Sequence, residues 1–185
     1  MWESVWGQPM ESSNRESGIE TIKIKEIQAK LNKGEWVTVH SKAPEDTAAL
    51  GALLGRTASP GQIYTLTGDL GVGKTVFTQG FAKGLGVAGP VNSPTFTIVQ
   101  IYEDGRLPFY HFDVYRIADV EEMEEIGYED CFYGDGVCLI EWAELIEEIL
   151  PRNIVQVIIE KDLEKGFDYR RISVKSHFKR PGEIK

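Results

Sequence analysis

Cysteine and histidine are scarce in this 185-residue chain, which has two cysteines, Cys131 and Cys138, and three scattered histidines, His40, His111 and His177. That supply matches neither a CxxC pair nor a Cys/His cluster, which argues against a zinc centre. Reduced, partly buried thiols are the expectation instead. Long apolar runs are missing too, with none near the ~18 residues that a bilayer-crossing helix needs. The opening MWESVWGQPM has no basic segment followed by an apolar stretch, so it does not read as a signal peptide, and a cytoplasmic protein without membrane association is expected. Positive charge is also short. The formal net charge is −9 and the pI is near 4.9. A protein that grips nucleic acid unaided turns a basic face to its phosphates. Here the basic residues gather only toward the tail, at Arg170, Arg171, Lys175, Lys179 and Arg180. Direct binding of tRNA or DNA is therefore disfavoured, and an RNA-related role would need a partner to hold the RNA.

Hydrophobic residues make up 42% of the chain and charged residues 26%, enough apolar material for one packed domain. Residues 1–35 read as an N-terminal extension. MESSNRESG is polar and argues for a disordered lead-in, and IETIKIKEIQAKLN fits a short helix. From Trp36 to the end the pattern is that of one α/β domain. WVTVH, QIYTLTG, TFTIVQIYE, LPFYHFDVY, GVCLIEW, NIVQVIIE and YRRISVKS read as strands, the third and fourth forming a hairpin over EDGR. PEDTAALGALLGR, KTVFTQGFAKGLG, VEEMEEIG and AELIEEIL read as helices. The order implies a mixed, mostly parallel sheet of about seven strands flanked by helices, like that of a P-loop NTPase.

The segment Gly68-Asp69-Leu70-Gly71-Val72-Gly73-Lys74-Thr75 matches G-x-x-x-x-G-K-[ST] without a gap and sits between a predicted strand and a predicted helix. Gly68, Gly71 and Gly73 let the backbone turn tightly so that successive N–H groups face phosphate oxygens. Lys74 supplies positive charge to the β- and γ-phosphates, and the Thr75 hydroxyl suits a Mg²⁺ ligand. The following helix offers its positive end to the same anion. A working NTPase also needs a carboxylate opposite the loop, and two strand ends offer one: Glu141 after VCLI, and Asp113 in HFDVYR. Each is otherwise a solvated acid at a strand terminus. Trp142, beside Glu141, reads as a wall of the nucleotide pocket or as core packing. The run Glu121, Glu122, Glu124 and Glu125 reads better as a solvated helix face than as a docking surface.

GDLGVGKT (68–75), SPTF (93–96), HFDVYR (111–116) and LIEW (139–142), in that order, closely resemble the TsaE (YjeE) family of tRNA threonylcarbamoyladenosine biosynthesis ATPases. The resemblance spans roughly residues 36–177. It implies ATP and Mg²⁺ as ligands, with Lys74 and the loop amides on the phosphates and Thr75 and Glu141 on the metal side. It further implies that Asp113 serves hydrolysis, as a base or through a water, and that Ser93, Pro94 and Thr95 form a switch-like loop near the γ-phosphate. Thr47 and Trp142 would lie near the adenine, and Arg171, or equally Arg170, would approach the nucleotide. As partners it implies the TsaD and TsaB proteins, which hold the tRNA and transfer threonylcarbamoyl to the adenosine beside the anticodon, while hydrolysis, weak in the ATPase alone, resets the complex. A small-molecule kinase is a poorer fit, because Arg116 is the one arginine near a candidate motif and no arginine-rich lid is visible. A GTPase is poorer still, with no [NT]-K-x-D guanine-reading motif after the loop. A nucleotide-gated assembly module with incidental hydrolysis is the alternative from another class.

Overall fold

The computed structural model describes residues 17–177. The polar lead-in expected before residue 17, and the tail cations Lys179 and Arg180, lie outside the described residues. Strands β1 (Val37–Ser41), β2 (Ile63–Thr67), β3 (Val99–Tyr102), β4 (Phe109–Asp113), β5 (Val137–Glu141), β6 (Ile154–Lys161) and β7 (Arg170–Ser176) form one seven-stranded sheet in the order β1-β7-β6-β2-β5-β4-β3. β1, β6, β2, β5 and β4 run one way, and β7 and β3 run against them. The mixed, mostly parallel sheet implied by the strand pattern is thus the observed one. β2 lies at its centre, between β6 and β5, so the loop that leaves β2 opens where neighbouring connections diverge.

The period-two alternation of the strands divides the core into two. Tyr64 and Leu66 of β2, Phe109 of β4, and Val137 and Leu139 of β5 join the cluster packed under α2 (Pro44–Thr57) and α3 (Lys74–Leu85). Ile63, Phe112, Cys138 and Ile140 join the opposite cluster with Met123 of α4 (Glu121–Glu125) and Phe132 of α5 (Tyr128–Phe132). His111 and Asp113 follow Phe109 at intervals of two, and Glu141 follows Leu139, which places all three on the α2–α3 face. α1 (Ser17–Asn32) brings Ile27 and Leu31 against the same cluster.

Three local readings are revised. TFTIVQIYE enters the sheet only at Val99, because Thr95–Thr97 form a turn whose Thr97 and Ile98 N–H groups donate to Pro94 O. AELIEEIL is a 3₁₀ segment (Ala143–Ile149) broken at Ile146, where φ is −127°, and Ile146 is fully buried. The tertiary demand for that side chain overrides the helical pattern. YEDCF, unassigned from the pattern, forms α5. Cys131 and Cys138 are free, and the Cys138 thiol donates to Cys131 O at 3.2 Å.

The contact between α2 and α3 is made through glycine. A Cβ on Gly51 or Gly55 would meet the carbonyl oxygens of Phe77 and Phe81 at 2.3 and 2.1 Å, and one on Gly80 or Gly84 would meet those of Ala48 and Ala52 at 2.1 and 2.2 Å. The helices therefore touch backbone to backbone over two turns, which fixes α3, and with it Lys74, against the sheet. Helix propensity alone would favour Gly80→Ala by about 1 kcal/mol. Overpacking against backbone reverses that sign, and the expected net loss is about 2 kcal/mol. Urea denaturation checks this, with Gly89→Ala, where a Cβ meets nothing within 4 Å, as the neutral control.

Candidate functional site

β2, β5 and β4 are neighbours, and their C-terminal ends carry the glycine loop, Glu141 and Asp113 respectively. Gly68, Gly71 and Gly73 all have positive φ, at 143°, 67° and 108°. Gly68 has a second reason to be glycine, since a Cβ there would lie 2.3 Å from Ile159 O. Among the loop's bonds, Val72 N–H donates to Asp69 O, while the N–H groups of Gly71, Gly73, Lys74 and Thr75 have no backbone acceptor among the described residues. These orphan donors lead into the N-terminus of α3, an arrangement suited to an anion.

Lys74 is buried, and its Nζ donates to Gly68 O at 2.7 Å and Asp69 O at 3.0 Å. Burial pushes its ammonium below the usual lysine range, opposed by Glu141, Glu144, Asp113 and Asp69. The indole of Trp142 lies across it, with its centroid 3.7 Å from Nζ. Trp142 reaches that position through a left-handed backbone turn, φ 62°, directly after β5, fastened by its N–H to Leu66 O. The ring of Tyr115 packs on it at 4.9 Å.

Glu141 and Asp113 pair across β5 and β4 and are nearly inaccessible, at 3% and 4% exposure. Their surroundings differ. Glu141 Oε1 lies 3.1 Å from the Thr78 hydroxyl and 3.0 Å from His111 Nε2, and Oε2 has no hydrogen-bond partner among the described residues. Asp113 is fully engaged. Its Oδ2 accepts from the hydroxyls of Ser93 and, at 2.6 Å, Thr95, and its Oδ1 accepts from Tyr115 N–H. Asp113 therefore ties the SPTF turn to the end of β4. Ile98, which closes that turn, holds φ at 64°, costly for a β-branched residue. Among the described residues, Ile98 and Trp142 are the two non-glycines with positive φ, and both adjoin the site.

A cavity of about 420 Å³ gathers Leu70, Gly71, Gly73, Lys74, Thr75, Ser93, Thr95, Asp113, Glu141 and Trp142, together with Tyr115, which the motifs did not single out. A smaller hollow of about 170 Å³ lies along the other flank of the loop, lined by Thr47, Val72, Asp168 and Arg170 as well as Gly71 and Gly73. Thr47 and Trp142, expected together at the adenine, thus line different hollows. The Thr47 hydroxyl is 2.8 Å from that of Ser41. Arg170 is the arginine that reaches the loop, its Nε donating to Val72 O at 2.7 Å. Arg171 is turned to Glu160 in a two-bond ion pair and lines neither hollow, because successive side chains of a strand face opposite ways. His111 and Thr78 were missed as site residues. The sequence carried a signal for each: His111 opens HFDVYR, and Thr78 falls one helical turn after Lys74.

Arg170 also donates to Phe167 O and Tyr169 O. Arg170→Ala should speed amide hydrogen exchange across residues 68–73 about tenfold, the loss expected for a charged hydrogen bond to the loop. Arg171→Ala should leave exchange in that segment unchanged.

Comparison with known proteins identifies the family. Residues 41–172 match the family model described as threonylcarbamoyl adenosine biosynthesis protein TsaE. The tRNA threonylcarbamoyladenosine biosynthesis protein TsaE of Bacillus subtilis is 52% identical over 139 residues, 75% of this chain and 83% of that protein. Its counterpart from Treponema pallidum is 44% identical over 117 residues, 63% of this chain and 86% of that one. A crystal structure of Bacillus subtilis YdiB superposes with a TM-score of 0.67 at 43% identity, covering 78% of this chain and 87% of that one. With one family model spanning the sheet from the end of β1 into β7, and relatives this similar, the chain belongs to the TsaE family.

Proposed function

We propose that this protein is a Mg²⁺-dependent ATPase that serves threonylcarbamoyl transfer to the adenosine beside the tRNA anticodon, by binding and resetting a TsaB–TsaD complex in the cytoplasm. The observation that carries the reading is that Lys74, Thr75, Asp113 and Glu141, from three separate segments, line one cavity at the ends of adjacent strands. The orphan N–H groups of the loop and Lys74 receive the phosphates of ATP, and Lys74 exchanges the carbonyls of Gly68 and Asp69 for phosphate oxygens. The donor set suits Mg²⁺, which takes hard oxygen ligands, one or two of them carboxylates and the rest phosphates and waters. Thr75 and the unpartnered Oε2 of Glu141 are the oxygens that would hold it, and the ion, when bound, neutralises charge building on the phosphates. Trp142 shields Lys74 from water and keeps its charge directed at the cavity. The hollow with Thr47 and Arg170 is the place for the adenosine end.

Asp113 acts through what it holds. With both oxygens engaged, it sets Ser93 and Thr95 at the cavity rim, from where the SPTF turn senses the terminal phosphate and an ordered water is aligned for attack. This engagement also favours a second reading, in which the turn reports the nucleotide to a partner and hydrolysis is incidental.

Glu141→Ala should lower ATP turnover about 10²–10³-fold, the scale of removing a charge-stabilising group. Asp113→Ala should lower it about 10²-fold, and nucleotide binding, read with a fluorescent ATP analogue, should survive in both to different degrees. Full multi-turnover tRNA modification by both variants would leave only the gating reading standing.

The chain's acidity leaves RNA gripping to partners, so ATPase activity should be weak alone and should rise on addition of TsaB and TsaD. Strong activity that the pair does not change would count against the resetting role.

A further inference from the structure

His111 is an unexpected residue for its place. It sits on β4 between Phe109, whose ring stacks on the imidazole at 6.0 Å between centroids, and Asp113, and it is wholly inaccessible to solvent. An apolar ring would fill the same space and leave no polar atom bare. The imidazole leaves Nδ1 with no hydrogen-bond partner among the described residues, which a folded core tolerates poorly. What histidine offers there is Nε2, 3.0 Å from Glu141 Oε1. An ionised carboxylate only accepts, so the tautomer that makes this bond carries its hydrogen on Nε2. The Thr78 hydroxyl approaches the same oxygen from α3, at 3.1 Å, and shares its one hydrogen with Lys74 O at 3.0 Å. A donor from β4 and a shared one from α3 thus converge on Oε1, and among the described residues the other oxygen of the carboxylate has no partner, while Glu141 lines the cavity with Thr75.

We infer that His111 is a positioning residue, assisted by Thr78, which clamps one oxygen of Glu141 so that the other is presented to the metal side of the cavity. The inference rests on the magnesium–nucleotide reading of the site. A carboxylate held by such bonds is already oriented before an ion arrives. Outer partners of this kind typically contribute about 10–100-fold to metal affinity. The geometry explains why a polar ring with one unsatisfied nitrogen occupies a position where phenylalanine would pack: the bond from Nε2 replaces what the bare Nδ1 forgoes. It also assigns different duties to the two paired acids, since Asp113 is held by hydroxyls of the SPTF turn and Glu141 by groups anchored in β4 and α3.

The test is an equilibrium titration of a fluorescent ATP analogue across Mg²⁺ concentrations, and in EDTA, for wild type, His111→Phe, His111→Gln and Thr78→Val. Circular dichroism monitors folding of each variant. In EDTA the loop amides and Lys74 bind phosphate without help from Glu141, so that affinity reports the loop alone. His111→Phe should raise the half-saturating Mg²⁺ about tenfold or more, with affinity in EDTA within about twofold of wild type. Thr78→Val should shift it in the same direction by less, and His111→Gln, whose amide nitrogen replaces Nε2, should recover most of the loss. If His111→Phe does not fold, Thr78→Val tests the same direction of shift, by a smaller amount, on a side chain of matched shape. An unchanged half-saturation, or an equal loss of affinity with and without Mg²⁺, overturns the positioning role and leaves the nucleotide site standing. A wild type whose nucleotide affinity responds neither to Mg²⁺ nor to Lys74→Ala overturns the nucleotide reading and this inference with it.

Discussion

Glu141 is an acid placed where water scarcely reaches, at the tip of a strand buried on both faces. A carboxylate in that position is costly unless donors surround it, and much of the site follows from meeting that need. Thr78 comes from α3 and His111 from β4, so the helix behind the glycine loop and the strand beside β5 are both tied to one oxygen. Lys74 lies in the same cavity, charged and buried, with the indole of Trp142 against it. Each of these groups is tolerable because the others are there.

The mutual approach of α2 and α3 serves the same end. Glycines facing backbone on both helices let them touch directly, so α3 cannot slide or tilt without pushing its neighbour. Lys74, Thr75 and Thr78 inherit that rigidity. The SPTF turn stands in contrast. It hangs on hydroxyls donated to Asp113 and on a left-handed Ile98, features that form and break more readily than packed backbone. A rigid floor with a hydrogen-bonded rim beside it is the architecture that the proposed nucleotide site would need in order to report what it holds.

Much of this was legible in the residues. The glycine loop, the strand run ending in Glu141 and the hairpin ending in Asp113 are local patterns, and each was found where its spacing put it. The misread segments share a cause. Thr95–Thr97 has the composition of a strand, but Asp113 holds the hydroxyls of Thr95 and the preceding Ser93, and the segment forms a turn. Ala143–Ile149 has helical spacing, but Trp142 and the buried Ile146 constrain it to a broken 3₁₀ segment. In each case the partner that imposes the constraint lies outside the segment: Asp113 for the turn, and the core cluster that Ile146 enters for the 3₁₀ segment. The small residues of GALLG and GFAKG were visible as well, though four-residue glycine spacing in a soluble helix reads as a weakness until the facing helix is known.

The sequence by itself determined the order of the elements, the place of the glycine loop and the family to which the chain is related, because these depend on neighbours a few residues apart. It also determined that Arg170 and Arg171 must face opposite sides of their strand, since side chains alternate along β structure. Only the tertiary structure decided which of the two turns toward Val72. Likewise it decided that Thr47 and Trp142 occupy separate hollows, that Asp113 is engaged by hydroxyls, and that His111 meets Glu141. These relations are set by the register between strands and by the packing of helices far apart in the chain, and no local spacing encodes a distance across the sheet.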